Sequence, residues 1–324
     1  MTRMLQRNGW VLGLVLLLAM LLIATKIIQP NFGASGLESL GRAAVPFAFA
    51  TAAMAVVVIA GGIDLSVAAV MAVASVTAAR LMVGAGDGQT VLIVIGVLAL
   101  GGVMGAINGA LIVLTRVPDI VVTLAMLFVW EGVALLILNT PSGAATQWLR
   151  DLILGSVVIP GLPETITSLI PKSLIFIIIF LAPAWLLLRR TQLGLAIYAI
   201  GSDQTAAFRS GVPIGKTRIA AYCIAGILAA MGGLTLTMST GIGEPIPGPY
   251  LLASVSAVVL GGVALTGGKG GLIGPIIAVL ILRLVRMDLT LMSVDPNVTT
   301  IVEGTIMVVV VMLGGLLAIK GKRS

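Results

Sequence analysis

Residues 57–70 read "VVIAGGIDLSVAAV", an apolar run, a glycine pair, a carboxylate with a serine, and a second apolar run. How this stretch is read decides the fold. A carboxylate at the centre of a lipid-embedded helix costs about 2.5 to 3.5 kcal/mol on insertion scales, so Asp64 should be paired, wet or at the end of a span. If one helix ends near Gly62, Asp64 accepts amide hydrogen bonds at the positive end of the next. If instead Gly61 and Gly62 break a helix at bilayer depth, Asp64 and Ser66 line a polar path, as broken helices do in transporters. Both readings require a membrane.

The remaining sequence supplies one. Of 324 residues, 59% are hydrophobic and 10% charged, and the mean hydropathy is +1.19, a balance foreign to soluble domains. Apolar runs of roughly 18 residues or more recur along the chain, each long enough to cross about 30 Å of hydrocarbon as a helix. They are continuous rather than alternating, which excludes a β-barrel. The expected fold is all-α and polytopic. Ten spans are placed near 9–28, 44–60, 64–83, 90–114, 119–138, 172–188, 219–239, 251–266, 271–287 and 301–319. The run after Arg3 and Arg7 has the look of a signal peptide, yet it continues to Ile28 without a clear small-residue cleavage site and is expected to be a retained first span.

Charge sets the expected orientation. The formal +7 is spread between spans, with no basic run interleaved with aromatics, so a nucleic-acid partner is not expected. Arg189, Arg190, Arg209, Lys216 and Arg218, with Lys320, Lys322 and Arg323, place the 189–218 segment and both termini in the cytoplasm. The segment 139–171 is then periplasmic. Its amphipathic patch from Trp148 to Leu154 is a surface for an external partner or a helix lying at the interface. The chain lacks His and has one cysteine, Cys223, which excludes a zinc or haem ligand set and an intrachain disulfide. No metal or cofactor is expected within it.

The cytoplasmic segment carries local stop and start signals. Gly201 can end one helix, Ser202 or Asp203 can cap the next, Gly211 suits the C′ position and Pro213 prevents continuation. A helix that short is marginal alone in water, so either the protein's own inner surface or a cytoplasmic subunit must hold it. Elsewhere "GGVMGAINGA" at 101–110 and "LGGVALTGGKGGLIGP" at 260–275 allow close helix contact or unwound backbone. Gly-Gly-x-x-Leu-Ser/Thr occurs at both Gly61–Ser66 and Gly261–Thr266, a candidate internal repeat, but 101–112 matches 270–281 at a different offset and the two do not define one register. Asn108, Thr123, Glu131 and Glu303 are further intramembrane polar groups, which line a path or bridge helices.

Three motifs in order, "GGIDLSVAAVMA" from Gly61, "GLAIYAIGSDQTAAFRSGV" from Gly194 and "AVVLGGVALTGGKGGLIGP" from Ala257, resemble the permease subunit of ribose-type bacterial ABC importers, over nearly the whole chain. The resemblance implies a single transmembrane permease domain over 1–324, working in the cytoplasmic membrane with a second permease subunit, identical or related. It also implies a periplasmic sugar-binding protein and a cytoplasmic ABC ATPase that holds the ATP and magnesium. No Gly-x-x-x-x-Gly-Lys-Ser/Thr loop occurs here: "GGKGGLIG" around Lys269 has neither the spacing nor the hydroxyl residue. By resemblance, Ser202, Asp203, Gln204, Thr205, Ala206, Ala207, Phe208, Arg209, Ser210 and Gly211 form the helix that couples to that ATPase. Gly61, Gly62, Asp64, Ser66, Asn108, Thr123, Glu131, Gly261 and Gly262 are the expected path or gate residues.

Two departures stand out. Where such permeases carry Glu-Leu-Asp-Ala after Gly-Pro-Tyr, this chain has Leu251 to Ser254, "LLAS", and a customary Glu in the coupling segment is Gln204. The first bears on the solute; the second makes docking less ionic. A competing reading is a stand-alone proton- or sodium-coupled carrier using Asp64, Glu131 and Glu303. More remote are a membrane-embedded enzyme, for which no nucleophile beside a base is present, and a non-transporting scaffold.

Overall fold

The computed structural model describes residues 2–158, 161, 163–246 and 248–321. They form fourteen helices: α1 Thr2–Ile28, α2 Ala34–Ile59, α3 Val67–Leu81, α4 Asp87–Thr115, α5 Asp119–Ile137, α6 Gln147–Arg150, α7 Glu164–Thr167, α8 Lys172–Arg190, α9 Gln192–Ser202, α10 Gln204–Arg209, α11 Ile214–Thr240, α12 Tyr250–Leu260, α13 Ile273–Leu291 and α14 Pro296–Gly321. Among the described residues the only β pairing is two isolated bridges, Ser142 with Gly243 and Ser156 with Pro171.

Helices occur at each of the ten expected places, but among the described residues six are long and apolar enough to cross a membrane: Gly9–Ile28 within α1, then α2, α4, α5, α8 and α11. The stretches near 64–83 and 251–266 are not full spans. Helix α3 has 15 residues and α12 has 11, which at 1.5 Å per residue rise about 22 and 16 Å, short of roughly 30 Å. Their missing turns are taken by non-helical backbone at 60–66 and 261–272. The second span likewise stops at Ile59, before the glycine pair.

Helix α2 is the centre of the bundle, with every side chain from Ala44 to Ile59 buried. It packs against α11, which in turn lies along α4. On α4, Gly101, Gly105 and Gly109 recur every fourth residue and so share one face. They meet Gly226, Tyr222 and Ile219 of α11. A Cβ on Gly105 would fall on the Tyr222 carbonyl oxygen, and one on Gly226 would fall on that of Gly101. The two backbones therefore touch, as small-residue membrane crossings allow.

Both long connections hold more helix than expected. The segment 189–218 is not a single loop: α8 runs to Arg190, the Thr191 hydroxyl accepts the Gly194 amide at 3.1 Å, and α9 follows at once. Gly201 does not end a helix, because α9 continues to Ser202. In 139–171, the Trp148–Leu154 patch is the one-turn α6 and the turn after it, with Leu149 and Ile153 buried in the core. Residues 159, 160 and 162 of that segment lie outside the described set.

Candidate functional site at the helix breaks

The opening stretch folds from its glycines outward. At the end of α2 the Gly62 amide donates to the Val57 carbonyl (3.0 Å) and the Gly61 amide to Val58 (2.9 Å), with Gly61 at φ +83°. This is a Schellman stop, which requires a left-handed residue that glycine adopts without a Cβ clash. The Asp64 carboxylate then turns onto its own chain. Its Oδ1 accepts the Ser66 amide at 2.8 Å and the Ser66 hydroxyl at 2.6 Å, an Asx-type turn leading into α3. The helix starts one residue after Ser66, so Asp64 holds its entry without occupying the N-cap position itself.

Three neighbouring helices complete the joint. From α4, Asn108 Nδ2 donates to Ser66 Oγ at 2.7 Å, and the Trp130 indole of α5 donates to Asn108 Oδ1 at 3.2 Å. The Thr123 hydroxyl accepts the Leu65 amide (3.1 Å) and donates to the Asp119 carbonyl (2.8 Å), with the Ile63 carbonyl at 3.2 Å. From α11, the Tyr222 hydroxyl donates to Asp119 Oδ2 (3.0 Å), and Arg218 pairs with Oδ1 at 3.7 Å. Gly62 packs beneath this group; a Cβ there would meet Asp119 and the Tyr222 hydroxyl. Asp64 is 2% exposed, and Ser66, Asn108 and Thr123 are fully buried. The structure thus gathers Gly62, Asp64, Ser66, Asn108 and Thr123 into one buried polar joint, with Gly61 exposed at its edge. Glu131 takes no part in it, and Glu303 pairs instead with Arg286. The three carboxylates named for a coupled carrier do not share one network.

Gly261 and Gly262 begin the second break. Here Val263 donates to Val258 and Gly262 to Val259, with Gly262 at φ +82°, so the second glycine of the pair is left-handed where in the first break it is Gly61. The two Gly-Gly-x-x-Leu-Ser/Thr matches are therefore one residue out of structural register. The Trp10 indole donates to the Leu260 carbonyl at 2.8 Å, satisfying the end of α12. Further on, the loop returns to the first break: the Gly268 amide donates to the Ile59 carbonyl at 2.9 Å. Gly201 of α9 lies in the crossing, where a Cβ would fall on that same Ile59 oxygen and within 2.7 Å of the Gly268 nitrogen. Three chain segments meet here through their backbones, with the Ser202 hydroxyl 3.5 Å from the Gly268 carbonyl.

The coupling segment leaves directly from this crossing. Asp203 Oδ1 accepts the Ala206 amide at 2.9 Å, capping α10, and the Gly211 (φ +81°) and Val212 amides close it onto Phe208 and Ala207. Ala207 is buried, Phe208 is 70% exposed, and Gln204, Thr205, Ala206, Arg209, Ser210 and Gly211 are exposed. Behind it, the Tyr198 hydroxyl donates to the Gly270 carbonyl at 2.9 Å, tying α9 to the second break. Burial pushes the Tyr198 phenol above its ordinary value against the pull of Arg189, so it remains a donor. Sequence reasoning missed Trp130, Asp119, Tyr222, Arg218 and the role of Gly201. Arg218 reads as a topology charge and Asp119 only as the start of a span, and only their juxtaposition reveals the pair.

A separate cleft lies between α12, α13 and α14, lined by Phe47, Pro249, Ala253, Arg283, Arg286 and Glu303. The departure "LLAS" falls on its wall, at Ala253. Arg286 Nη1 donates to Glu303 Oε2 at 3.2 Å.

Broken helices that meet at one end of an apolar bundle, the first held by a buried polar network and both rooted on an exposed short helix, fit a polytopic membrane transport subunit. The sequence matches, over residues 36–311, the family described as branched-chain amino acid transport system / permease component, and the chain belongs to that family. It is a permease subunit of an ABC importer and a multi-pass protein of the cytoplasmic membrane, with ATP hydrolysis on a separate subunit. It is 30% identical over 322 residues to the autoinducer 2 import system permease protein LsrD of Escherichia coli K12, covering 94% of this chain and 92% of that one. It is 31% identical over 307 residues to the ribose import permease protein RbsC of the same strain, covering 93% and 92%. No solved structure matches the chain.

Proposed function

We propose that this permease translocates a monosaccharide or related sugar-like solute, delivered by a periplasmic binding protein, and that α10 is where a cytoplasmic ATPase carrying ATP and magnesium docks. The family description names branched-chain amino acids, whereas the two relatives are named for ribose and autoinducer 2. The three motifs at 61–72, 194–212 and 257–275 resemble the sugar group and favour a sugar. Residues 1–324 act as one permease domain beside a second permease subunit. Counted through both half-length helices, the chain crosses ten times and has both termini in the cytoplasm.

The observation that carries this reading is α10 itself. A six-residue helix cannot hold its shape alone in water. It is capped at both ends, it buries only Ala207, and it presents Phe208 to solvent. Its root is the crossing of Gly201 with both breaks, so a push on α10 reaches Asp64 and Gly261 through backbone contacts. Ala206→Arg places a long charge on the exposed face without touching Ala207. The variant is expected to insert normally and to lose co-purification with the ATPase; undiminished co-purification would remove the docking role.

A further inference from the structure

Helix α5 is fastened to the bundle in an unusual way. Helices α4 and α11 touch backbone to backbone at Gly105 and Gly226, and α11 follows α10 after four residues, so α10, α11 and α4 form one body. On α5 only Thr123 and Ala134 are buried. It lies mainly on α3 and does not pack along α11. Its covalent link to the body is three residues, Arg116 to Pro118, with Arg116 at φ +58°, a conformation uncommon for a residue with a Cβ. The second attachment is Asp119, the first residue of α5. Each carboxylate oxygen has its own partner on α11: the Tyr222 hydroxyl donates to Oδ2 at 3.0 Å, and Arg218 pairs with Oδ1 at 3.7 Å. Arg218 and Tyr222, four residues apart, share one face of α11 shortly after α10. One turn along α5, the Thr123 hydroxyl accepts the Leu65 amide and lies 3.2 Å from the Ile63 carbonyl, on either side of Asp64. Farther on, the Trp130 indole donates to Asn108 of α4 at 3.2 Å, a neutral bond weaker than the charge-assisted one from Tyr222.

We propose that Asp119, gripped by Arg218 and Tyr222, is the positioning residue through which movement of the coupling helix reaches α5 and the Asp64 joint during transport. This rests on α10 being the helix on which the ATPase docks. When the ATPase moves α10, α11 moves with it, and Arg218 and Tyr222 carry the carboxylate at the head of α5. The link at 116–118 is the pivot, a few loop residues that absorb the change in dihedrals. A helix attached at one point swings freely, whereas one attached at two follows its support. The route is distinct from the crossing at Gly201, which acts through backbone. Asp119 also sits at the positive end of the α5 dipole, where a carboxylate is favoured without Arg218. The grip can therefore be loosened from the α11 side with the start of α5 intact.

The full-length chain carrying Cys223→Ser, co-purified with its ATPase in nanodiscs, tests this by double electron-electron resonance. Nitroxides are attached at Leu136→Cys, at the far end of α5, and at Ile27→Cys, at the end of α1, both exposed positions. Singly labelled chains identify distances between copies. Leu136 lies roughly 25 Å along the helix from Asp119, so a tilt of about 5 to 10° moves it by about 2 to 4 Å, within the range of helix shifts in switching proteins. That shift is expected between the nucleotide-free complex and the complex trapped with ATP and vanadate. Asp119→Ala should lose nearly all of it, Tyr222→Phe combined with Arg218→Gln most of it, and Asp119→Asn, which keeps an acceptor for Tyr222, only part. Adding Tyr222→Phe to Asp119→Ala should change nothing further, because both act through one carboxylate. A purely structural role would lower the yield of complex and leave the shift in the surviving complex untouched. A full shift in Asp119→Ala, additive losses, or an immobile α5 in the chain without these substitutions would overturn the proposal. If Asp119→Ala yields no complex, the Tyr222→Phe and Arg218→Gln pair decides, and a full shift there overturns it as well. Docking on α10 is read separately, from co-purification of Ala206→Arg.

Discussion

The Asp64 carboxylate is directed at Ser66, which also receives Asn108, so the group is an acceptor inside a closed joint. An amide oxygen can take the same two hydrogen bonds, and a methyl group can take neither. Asp64→Asn is therefore expected to keep most binding-protein-dependent uptake. Asp64→Ala should lose roughly 0.5 to 2 kcal/mol of local stability, as removal of a capping side chain does. Uptake in vesicles, normalised to expression, separates the two variants. Equal loss in both, with ATPase association intact, would show that the negative charge itself is required.

Helix packing in this bundle is decided by what is missing from α4 and α11. Gly105→Ala should destabilise the fold by about 1 to 3 kcal/mol, the usual cost of forcing atoms into a packed contact, because the new methyl lands on the Tyr222 carbonyl. Gly96 lies on the same helix with nothing within 4 Å of a built Cβ, so Gly96→Ala should be neutral or stabilising by up to about 1 kcal/mol through helix propensity. Thermal inactivation of the purified variants compares them; equal effects would mean that α4 and α11 do not touch at Gly105. The caps of α10 were legible because Asp203 and Gly211 act on amides within a few residues. The lengths of α3 and α12 were not, since an apolar run reports composition and stays apolar whether its backbone is helical or looped. Helix α9 was hidden by Arg189 and Arg190, whose charges mark a span's end and say nothing of a second helix after Thr191. The joint at Asp64 was half legible: its polar members were visible as costly intramembrane groups, but the pairing of Asn108 with Ser66 and Trp130 depends on α4 and α5 meeting there.

For the molecule as a whole, the breaks, Trp10, α9 and α10 lie at one end of the bundle, and Arg150, Gly143 and Gly241 at the other, where the Arg150 guanidinium donates to the Met238 carbonyl at 3.3 Å. With Cys223 first replaced by serine, a cysteine at Gln147 should label from the periplasmic side and one at Ser210 only from the cytoplasm. Reversed labelling would overturn the orientation. The hydrogen bond from Gly268 to Ile59 has a bearing on biogenesis as well. It joins positions some two hundred residues apart, and at ribosomal rates of about 5 to 20 residues per second the later partner emerges on the order of 10 to 40 seconds after the earlier one. The central helix thus enters the bilayer with its last carbonyl unanswered, and the nascent chain must shelter that end until the glycine loop arrives. A helix placed near the start of synthesis is among the last to be finished.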